Sequence, residues 1–449
     1  MLLPENIMNV IRRLENAGFE AYVVGGCVRD SLMYMTPHDY DIATSALPEE
    51  VKRIFADMKT IDTGLKHGTV TVLSDGEPVE ITTYRIDGGY DDNRHPQTVT
   101  FTKKLIDDLK RRDFTINGIA YNPVRSLFIY DPFEGAVDIG NKTIRCIGNP
   151  DDRFQEDALR IMRGLRFAVT LGFDIAFHTA RSMHINKGLL HNISAERIFV
   201  ELSKMLTGPN SGRSLCKILN PFRDILAEII PELVATFDFD QHSKYHYLDI
   251  YQHMLKATEN AILIAPGNLP LVVAMLLHDI EKPNCFSMEN GEGHFYGHAP
   301  ASADTADKIL RRLKTSTALR ERVVSIIKHH DMSLENNDKT LKRLMSKYGE
   351  SCARDIILAH IADDLAKRQE YQTRCRDWYA MLNRIPKLMQ TSCLGIKDLA
   401  VNGHDLTKIM PPSPLMGETL KFLLNAVLNG DLPNTYDELM NAARHYIND

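Results

Sequence analysis

The stretch "AYVVGGCVRDSLMYMTPHDYDIAT", residues 21–44, decides how this chain is read. AYVV is a short apolar run ending at Gly25-Gly26, which predicts a buried strand followed by a tight turn. Arg29 and Asp30 come directly after it. DYDIAT predicts a second strand, on which Asp39 and Asp41 would project from one face. Two carboxylates so close repel each other unless a cation sits between them. Hard oxygen ligands suit Mg²⁺, which commonly joins one or two carboxylates to substrate phosphates. Gly26 lets the main chain approach a phosphate with no Cβ in the way, and Arg29 offers a planar cation to phosphate oxygens. The D-x-D pattern alone is common in surface loops. The G-G-x-V-R-D before it makes a metal-assisted nucleotide site the better reading.

Around this stretch the chain alternates short strands and helices up to about residue 145. Residues 5–17 carry Ile7, Val10, Ile11 and Leu14 at helical spacing. PEEVKRIFADM, 48–58, reads as a helix with Pro48 and two acids in its first turn. GTVTVLSDGEPVEITTYR, 68–85, reads as a hairpin around Asp75-Gly76. IDGGYDDNRHPQT, 86–98, is polar and rich in Gly, Asp and Asn, and predicts a mobile loop. From residue 151 the pattern is almost wholly helical. The expected organisation is a head over 1–145, a helical neck over 146–235, a further helical block over 236–370 and a tail over 371–449.

Bulk composition narrows the function classes. A chain of 449 residues is too long for a single core. The formal net charge is -6, so any nucleic-acid partner needs a local basic surface. Seven cysteines are scattered without a C-x-x-C, which argues against a disulfide framework or thiolate zinc site and fits a reducing cytoplasm. The longest apolar run, LPLVVAMLL at 269–277, is far too short to span a bilayer.

Two further clusters extend the nucleotide reading. DLKRRDFTINGIAYNP, 108–123, holds Arg112 and Asp113: the cation suits phosphate or ribose oxygens, and the carboxylate accepts from a ribose hydroxyl. RFQEDALRIMRGLRF, 153–167, would place Asp157 and Arg160 as neighbours on a helix. The plain reading is an intrahelical salt bridge. The sharper one uses base chemistry. Cytosine and adenine each set an amino donor beside a ring-nitrogen acceptor, which a carboxylate and a guanidinium match. Uracil and guanine present the opposite order. Arg163 and Arg166 continue the series, but at about 100° per residue Arg166 lies roughly 180° from Asp157 on a straight helix. Both face one ligand only if the helix bends or the ligand wraps it.

Taken together, GGCVRD with DYD, RRDFTINGIA, IYDPFEGAVDI, EDALRIMRGLRF and ISAERIFVELSKML resemble the class II tRNA nucleotidyltransferases, the CCA-adding family that also contains bacterial poly(A) polymerases. The resemblance covers about residues 1–220 most strongly. It implies an α+β fold: a small head with a polymerase-beta-like mixed sheet, then a helical neck, body and tail. It implies addition of CMP, CMP and AMP to tRNA 3′ ends from CTP and ATP, without a template. It also implies roles: Asp39 and Asp41 on Mg²⁺, Gly26 and Arg29 on the triphosphate, Arg112 and Asp113 on ribose and phosphates, and Asp157 and Arg160 on the base, with Arg163 and Arg166 nearby. Gly118 departs from the family's usual Asn-Ala and is expected to loosen its turn. The 86–98 loop is implied in switching from C to A, which favours a full CCA enzyme.

A second resemblance lies further along. YQHMLKATENA, LLHDIEKP and ILAHIADDLAK set out the H…HD…D order of the HD superfamily, with His253, His278, Asp279 and Asp363 as implied ligands. Imidazole with carboxylate suits Mn²⁺, Ni²⁺, Fe²⁺ or Zn²⁺. His294, His298, His329 and His330 are candidates to extend the site toward phosphate or a second metal. Such a domain implies a phosphohydrolase or phosphodiesterase, with 2′,3′-cyclic phosphates at damaged RNA ends as one substrate class. The plain alternative is a set of core histidines, and Glu281 stands where a glycine is common. His404-Asp405 has no matching partners and reads as a helix start. The rivals to CCA addition are a poly(A) polymerase, an A-adding member of a split pair, and an RNA-binding protein whose only activity is HD hydrolysis. The expected partner is tRNA, with no membrane, and the expected state is a monomer or homodimer.

Overall fold

The computed structural model of the protein describes residues 1–62, 64, 68–90 and 96–448. The chain divides into two compact units, Met1–Pro231 and a second beginning at Glu232. In the first unit, α1 (Glu5–Asn16) buries Ile7, Val10, Ile11 and Leu14, the face its periodicity marks out. Then come β1 (Ala21–Val24), α2 (Gly26–Leu32), β2 (Asp41–Thr44), α3 (Pro48–Ile54), β3 (Thr60–Ile61), β4 (Thr69–Ser74) and β5 (Glu77–Thr83). Asp75 and Gly76 adopt φ of 52° and 83° between β4 and β5, the positive pair a two-residue hairpin turn requires. Next are β6 (Arg85–Tyr90), β7 (Pro96–Phe101), α4 (Leu105–Lys110) and β8 (Ala120–Tyr121).

Six strands form one sheet in the order β3-β4-β5-β2-β1-β8. β2 runs parallel to β5, and the other pairs are antiparallel, so the sheet is mixed. Period-two alternation sends side chains to opposite faces. Val23 and Ile42 join the core against α1 and α3, while Val24 and Ala43 pack with Tyr84, Leu105 and Leu109. The unit continues through α5 (Gly135–Gly140), β9 (Thr143–Ile144), α6 (Pro150–Glu156), α7 (Leu159–Leu171), β10 (Asp174–Ile175), α8 (Phe177–Asn186), α9 (Ala195–Thr207), α10 (Ser211–Leu219) and α11 (Arg223–Ile229). The predicted α+β class holds.

Local expectations fail at four places. The 86–98 stretch is not a loop at its ends: β6 and β7 pair antiparallel, from Arg85 opposite Phe101 to Tyr90 opposite Pro96. Cross-strand hydrogen bonds override the glycine-rich composition there; 91–95 lie outside the described residues. Only Asp41 is on β2, and Asp39 precedes the strand. Asp157 is not helical. Its φ and ψ of -140° and 101° separate α6 from α7, and its carboxylate accepts from the Leu159 N–H at 3.1 Å. Gly118 does not loosen its turn. Its φ is -94°, and a Cβ there would meet Ile147 Cδ1 at 2.7 Å, so close packing selects glycine.

The second unit is helical apart from a small hairpin, β11 (Ser287–Glu289) and β12 (Glu292–His294). Its helices are α12 (Ile250–Ile264), α13 (Leu269–Leu277), α14 (His298–Arg312), α15 (Thr317–His329), α16 (Asp338–Asp364), α17 (Cys375–Thr391), α18 (Gly403–Leu406), α19 (Pro414–Asn429) and α20 (Tyr436–Asn448). The uniformly apolar α13 is buried from Leu271 to Leu277, which places its C-terminal His278-Asp279 inside the unit. Asn402 and Asp405 form a reciprocal cap on α18, so His404-Asp405 is a helix start as predicted. Among the described residues no helix is long and apolar enough to cross a membrane.

Candidate functional site

A cleft of about 430 Å³ opens in the first unit, and every nucleotide-site candidate from the sequence lines it. β1 delivers the first part. Gly25 ends the strand with φ of 77°, and a Cβ there would come within 2.9 Å of Arg112 Nη1. Only glycine satisfies both the backbone and that contact. One turn into α2, Arg29 is ion-paired to Asp30 at 2.7 Å and donates to Asn117 Oδ1 at 2.8 Å. Asn117 therefore positions Arg29.

The acidic wall is Asp39 and Asp41, both exposed to the cleft. Asp41 is the register partner of Val24 on β1 and of Glu80 on β5. Asp41 has an open face toward the cleft and protein on its other sides. That protein surround, with Asp39 and Glu80, pushes its carboxyl up to about 6, against the pull of Arg112. Such crowding of negative charge is the signature expected of a cation site. The all-oxygen donor set fits a hard divalent cation.

Asp113 is organised differently. Its carboxylate accepts from Arg163, Asn117 Nδ2 at 3.0 Å and the Phe114 N–H at 2.8 Å. Burial raises its pKa, but Arg163, Asn117 and Arg160 outweigh it and hold the carboxyl well below the usual range. Arg112 and Arg111 both pair with the buried Asp108. Asp113 thus orders Arg163 and, through Asn117, Arg29, while Asp108 holds Arg111 and Arg112.

The base-reading candidates come from the α6–α7 break. The Asp157–Arg160 salt bridge of the plain reading is absent. Arg160 donates instead to Glu156 Oε2 at 2.8 Å, to the Arg153 carbonyl at 3.2 Å and to the Arg111 carbonyl at 2.8 Å. Three of its five donors are committed, and the guanidinium is held in one orientation. Asp157 faces Arg197 of α9 at 3.4 Å. The break at Asp157 resets the helical phase, so Asp157, Arg160, Arg163 and Arg166 all reach one cleft. Arg166 is anchored by Glu201 at 2.5 Å. Under this group lies Phe167, whose ring centroid is 5.1, 5.4 and 4.0 Å from the guanidinium carbons of Arg29, Arg163 and Arg166.

Sequence reasoning missed Asn117, Glu156, Phe167, Arg197 and Glu201. Glu156 was recoverable, because it lies four residues before Arg160 and that spacing pairs charges on a helix. Arg197 and Glu201 had no local signal.

The second unit brings together the other predicted set. His253, His278, Asp279 and Asp363 place one ligand atom each within 4.8 Å of one another. His253 Nε2 is 2.8 Å from Asp363 Oδ1, and His278 Nε2 is 3.2 Å from Asp279 Oδ2. His278 Nε2 and Asp279 Oδ1 are buried outside hydrogen-bond geometry. Burial opposes charge on His278, yet Asp279 and Asp363 raise it to about 9. Lys282 and Lys367 pair with Asp279 and Asp363 at 2.6 and 2.7 Å. Asp364 turns away to accept from Trp378 Nε1 at 2.8 Å. Of the candidate extensions, His329 is bound to Tyr348 and His294 stacks on Tyr296, so neither joins the cluster. His298 and His330 do reach Asp279.

Comparison with known proteins gives matches to three family models. Residues 21–145 match the poly A polymerase head domain. Residues 172–235 match the probable RNA and SrmB-binding site of polymerase A, and 297–443 match the putative tRNA nucleotidyltransferase domain 2. The CCA-adding enzyme of Pediococcus pentosaceus is 35% identical over 448 residues, covering 98% of this chain and 97% of its own. That of Streptococcus thermophilus is 33% identical, covering 97% and 95%. The crystal structure of the Bacillus stearothermophilus CCA-adding enzyme in complex with CTP superposes with a TM-score of 0.72, at 29% identity and full coverage of both chains. The mixed-sheet head, the converging cleft and this full-length similarity place the chain in one family: it belongs to the CCA-adding enzymes of the tRNA nucleotidyltransferase and poly(A) polymerase group.

Proposed function

We propose that this chain builds the CCA end of tRNA from CTP and ATP. The observation that carries this is the single cleft that gathers the Asp39/Asp41 pair, the Arg29 and Arg112 cations and the Asp157/Arg160 pair. In the proposed reaction the tRNA 3′-hydroxyl oxygen attacks the α-phosphorus in line, the α–β bridging bond breaks, and pyrophosphate leaves. Asp39 and Asp41 would hold Mg²⁺, which would supply neutralisation of phosphate charge. Gly26 admits the triphosphate, and Arg29 and Arg112 bind its oxygens. Asp113 orients Arg163 and faces the ribose side. Asp157 accepts from the exocyclic amino group of cytosine or adenine. Arg160, with Glu156 fixing its plane, donates to the neighbouring ring nitrogen. Arg163 and Arg166 add positive charge beside the base.

The deciding experiment supplies tRNA ending before CCA, after C and after CC, with each nucleotide alone and mixed. Incorporation of C, C and A that stops at CCA supports the reading. Long A-tails on generic RNA, or no incorporation until CC is present, would overturn it in favour of a poly(A) or A-adding enzyme.

The assigned domains are a head over 1–145, a neck over 146–235, an HD domain over 236–370 and a tail over 371–449. The buried convergence of His253, His278, Asp279 and Asp363 favours a second reading for the third of these. His253, His278, Asp279 and Asp363 would hold a first-row divalent metal such as Mn²⁺, Ni²⁺, Fe²⁺ or Zn²⁺, which would supply Lewis-acid chemistry for phosphoester hydrolysis. Metal analysis of the purified chain tests it: retention of an ion by the wild type and its loss in His278→Ala supports the reading, and no retained ion overturns it.

A further inference from the structure

Three of the arginines that line the cleft are held in the same way. In each, a carboxylate takes the Nε edge: Asp30 on Arg29 at 2.8 Å, Asp113 on Arg163 at 2.7 Å and Glu201 on Arg166 at 2.5 Å. All three guanidinium carbons also lie over one ring. The Phe167 centroid is 4.0 Å from that of Arg166, 5.1 Å from that of Arg29 and 5.4 Å from that of Arg163.

Local structure puts the ring there. Arg163 and Phe167 are four residues apart on α7, so both project from one side of the helix. Arg29 arrives from α2. Phe114 closes on Phe167 edge to face, with centroids 5.9 Å apart and planes at 84°. Gly164 makes room for Phe114, because a Cβ there would meet its Cζ at 3.2 Å. Phe167 is only 5% exposed, so the ring is fixed in protein while the cations over it reach the cleft.

Three like charges around one point repel, and burial strips their water. At Arg166 burial disfavours the charge more than Glu201 restores it, and Arg163 adds repulsion. The face of an aromatic ring carries partial negative charge and attracts a guanidinium without neutralising it. A further carboxylate in this place would cancel the positive charge that phosphate oxygens must find. A ring steadies the cations and leaves that charge intact.

We propose that Phe167 is a positioning residue that couples the two halves of nucleotide recognition: its ring holds Arg29, on the triphosphate side, in register with Arg163 and Arg166 beside the base. The proposal rests on reading the cleft as the CTP and ATP site. Phe167 acts through the three guanidinium groups and not on the reacting atoms. Weakening its ring face therefore loosens the grip on triphosphate and base together and alters the chemical step less.

The test replaces Phe167 in the full-length chain with phenylalanine carrying one, two and three ring fluorines. Each fluorine draws charge from the ring face and hardly changes its volume. The expected result is a stepwise rise in KM for both CTP and ATP, reaching about tenfold at three fluorines, with a smaller fall in kcat. The inhibition constant of pyrophosphate, which Arg29 would grip, should rise in step, while the melting temperature holds. A flat KM across the series overturns the proposal. So does a KM that follows melting temperature instead of fluorine count, the mark of packing alone. A nucleotide KM that rises while pyrophosphate inhibition is unchanged also overturns it, because Arg29 is then not coupled to the ring. A wild-type chain that incorporates neither CMP nor AMP overturns the reading of the cleft itself.

Discussion

The two candidate sites solve opposite problems. The cleft of the first unit is open and dominated by arginine, with Asp39 and Asp41 exposed on one wall. The histidine and aspartate cluster of the second unit is closed: His253 and His278 are 0% exposed and Asp279 1%. An open wall of hard oxygens suits an ion that arrives with a phosphate and leaves with pyrophosphate. A closed set of imidazoles and carboxylates suits a resident ion, because vacating it strands buried charge. On the proposed reading, the same electrostatic need, a cation among carboxylates, is met by exchange in one unit and by retention in the other.

Five results would break or sharpen that contrast. The largest is Asp41→Ala. It should lower nucleotide addition by about 1,000-fold or more, several kcal/mol of lost charge stabilisation. Its metal content in the second unit should be unchanged; a matching loss there would break the contrast. Chelation comes next. Removing an ion present at roughly 1,000 times its dissociation constant costs about 4 kcal/mol, or roughly ten degrees in the melting of the second unit. Scanning calorimetry with and without chelator reads this, and the first unit's transition should stay in place.

Asp157→Asn should reduce kcat/KM for both CTP and ATP by about 10- to 100-fold, the worth of a hydrogen bond to a charged group. Because Asn adds a donor, UTP and GTP should lose less. Equal losses for all four nucleotides would remove Asp157 from base selection. Phe167→Leu keeps an apolar side chain but removes the ring beneath Arg29, Arg163 and Arg166. At about 0.5–1 kcal/mol per cation–π contact, nucleotide KM should rise by roughly tenfold with a smaller change in kcat. Unchanged KM would make Phe167 core packing only.

The smallest effect is on pH. The Asp41 carboxyl is raised to about 6, so its proton must leave before a cation binds. Mg²⁺ affinity is therefore full above that value and falls as the pH drops through it. Mg²⁺ titrations should show roughly fourfold weaker binding at about pH 5.5 than at about pH 7.5. The same shift means that Asp41 as a carboxylate destabilises the ion-free fold at high pH, a penalty relieved on acidification. Asp113 has the opposite sign. Its depressed pKa contributes stability above the unfolded carboxyl's pKa, lost only as the pH falls through the folded value.

Much of the head was legible because its determinants are local. Ile7, Val10, Ile11 and Leu14 mark a helix face, Asp75-Gly76 marks a hairpin turn, and Gly25 marks a strand end. Each depends on backbone preference within a few residues. The 86–98 stretch misled because cross-strand pairing between β6 and β7 is not visible in its composition. Asp157 misled because a helical pattern continues through it, while its own side chain caps the next helix.

What the sequence by itself determined is the chemical inventory: paired carboxylates, fixed cations, the H…HD…D order, and the elements that carry them. Only the tertiary structure decided which of these meet. It set Arg160 on Glu156 and two carbonyls rather than on Asp157, laid three arginines on Phe167, and separated His298 and His330 from His294 and His329. The physical reason is distance along the chain. Propensity and spacing act over one or two helical turns. The contacts that orient Arg166 or surround Asp279 join residues tens of positions apart, and packing of whole elements selects them.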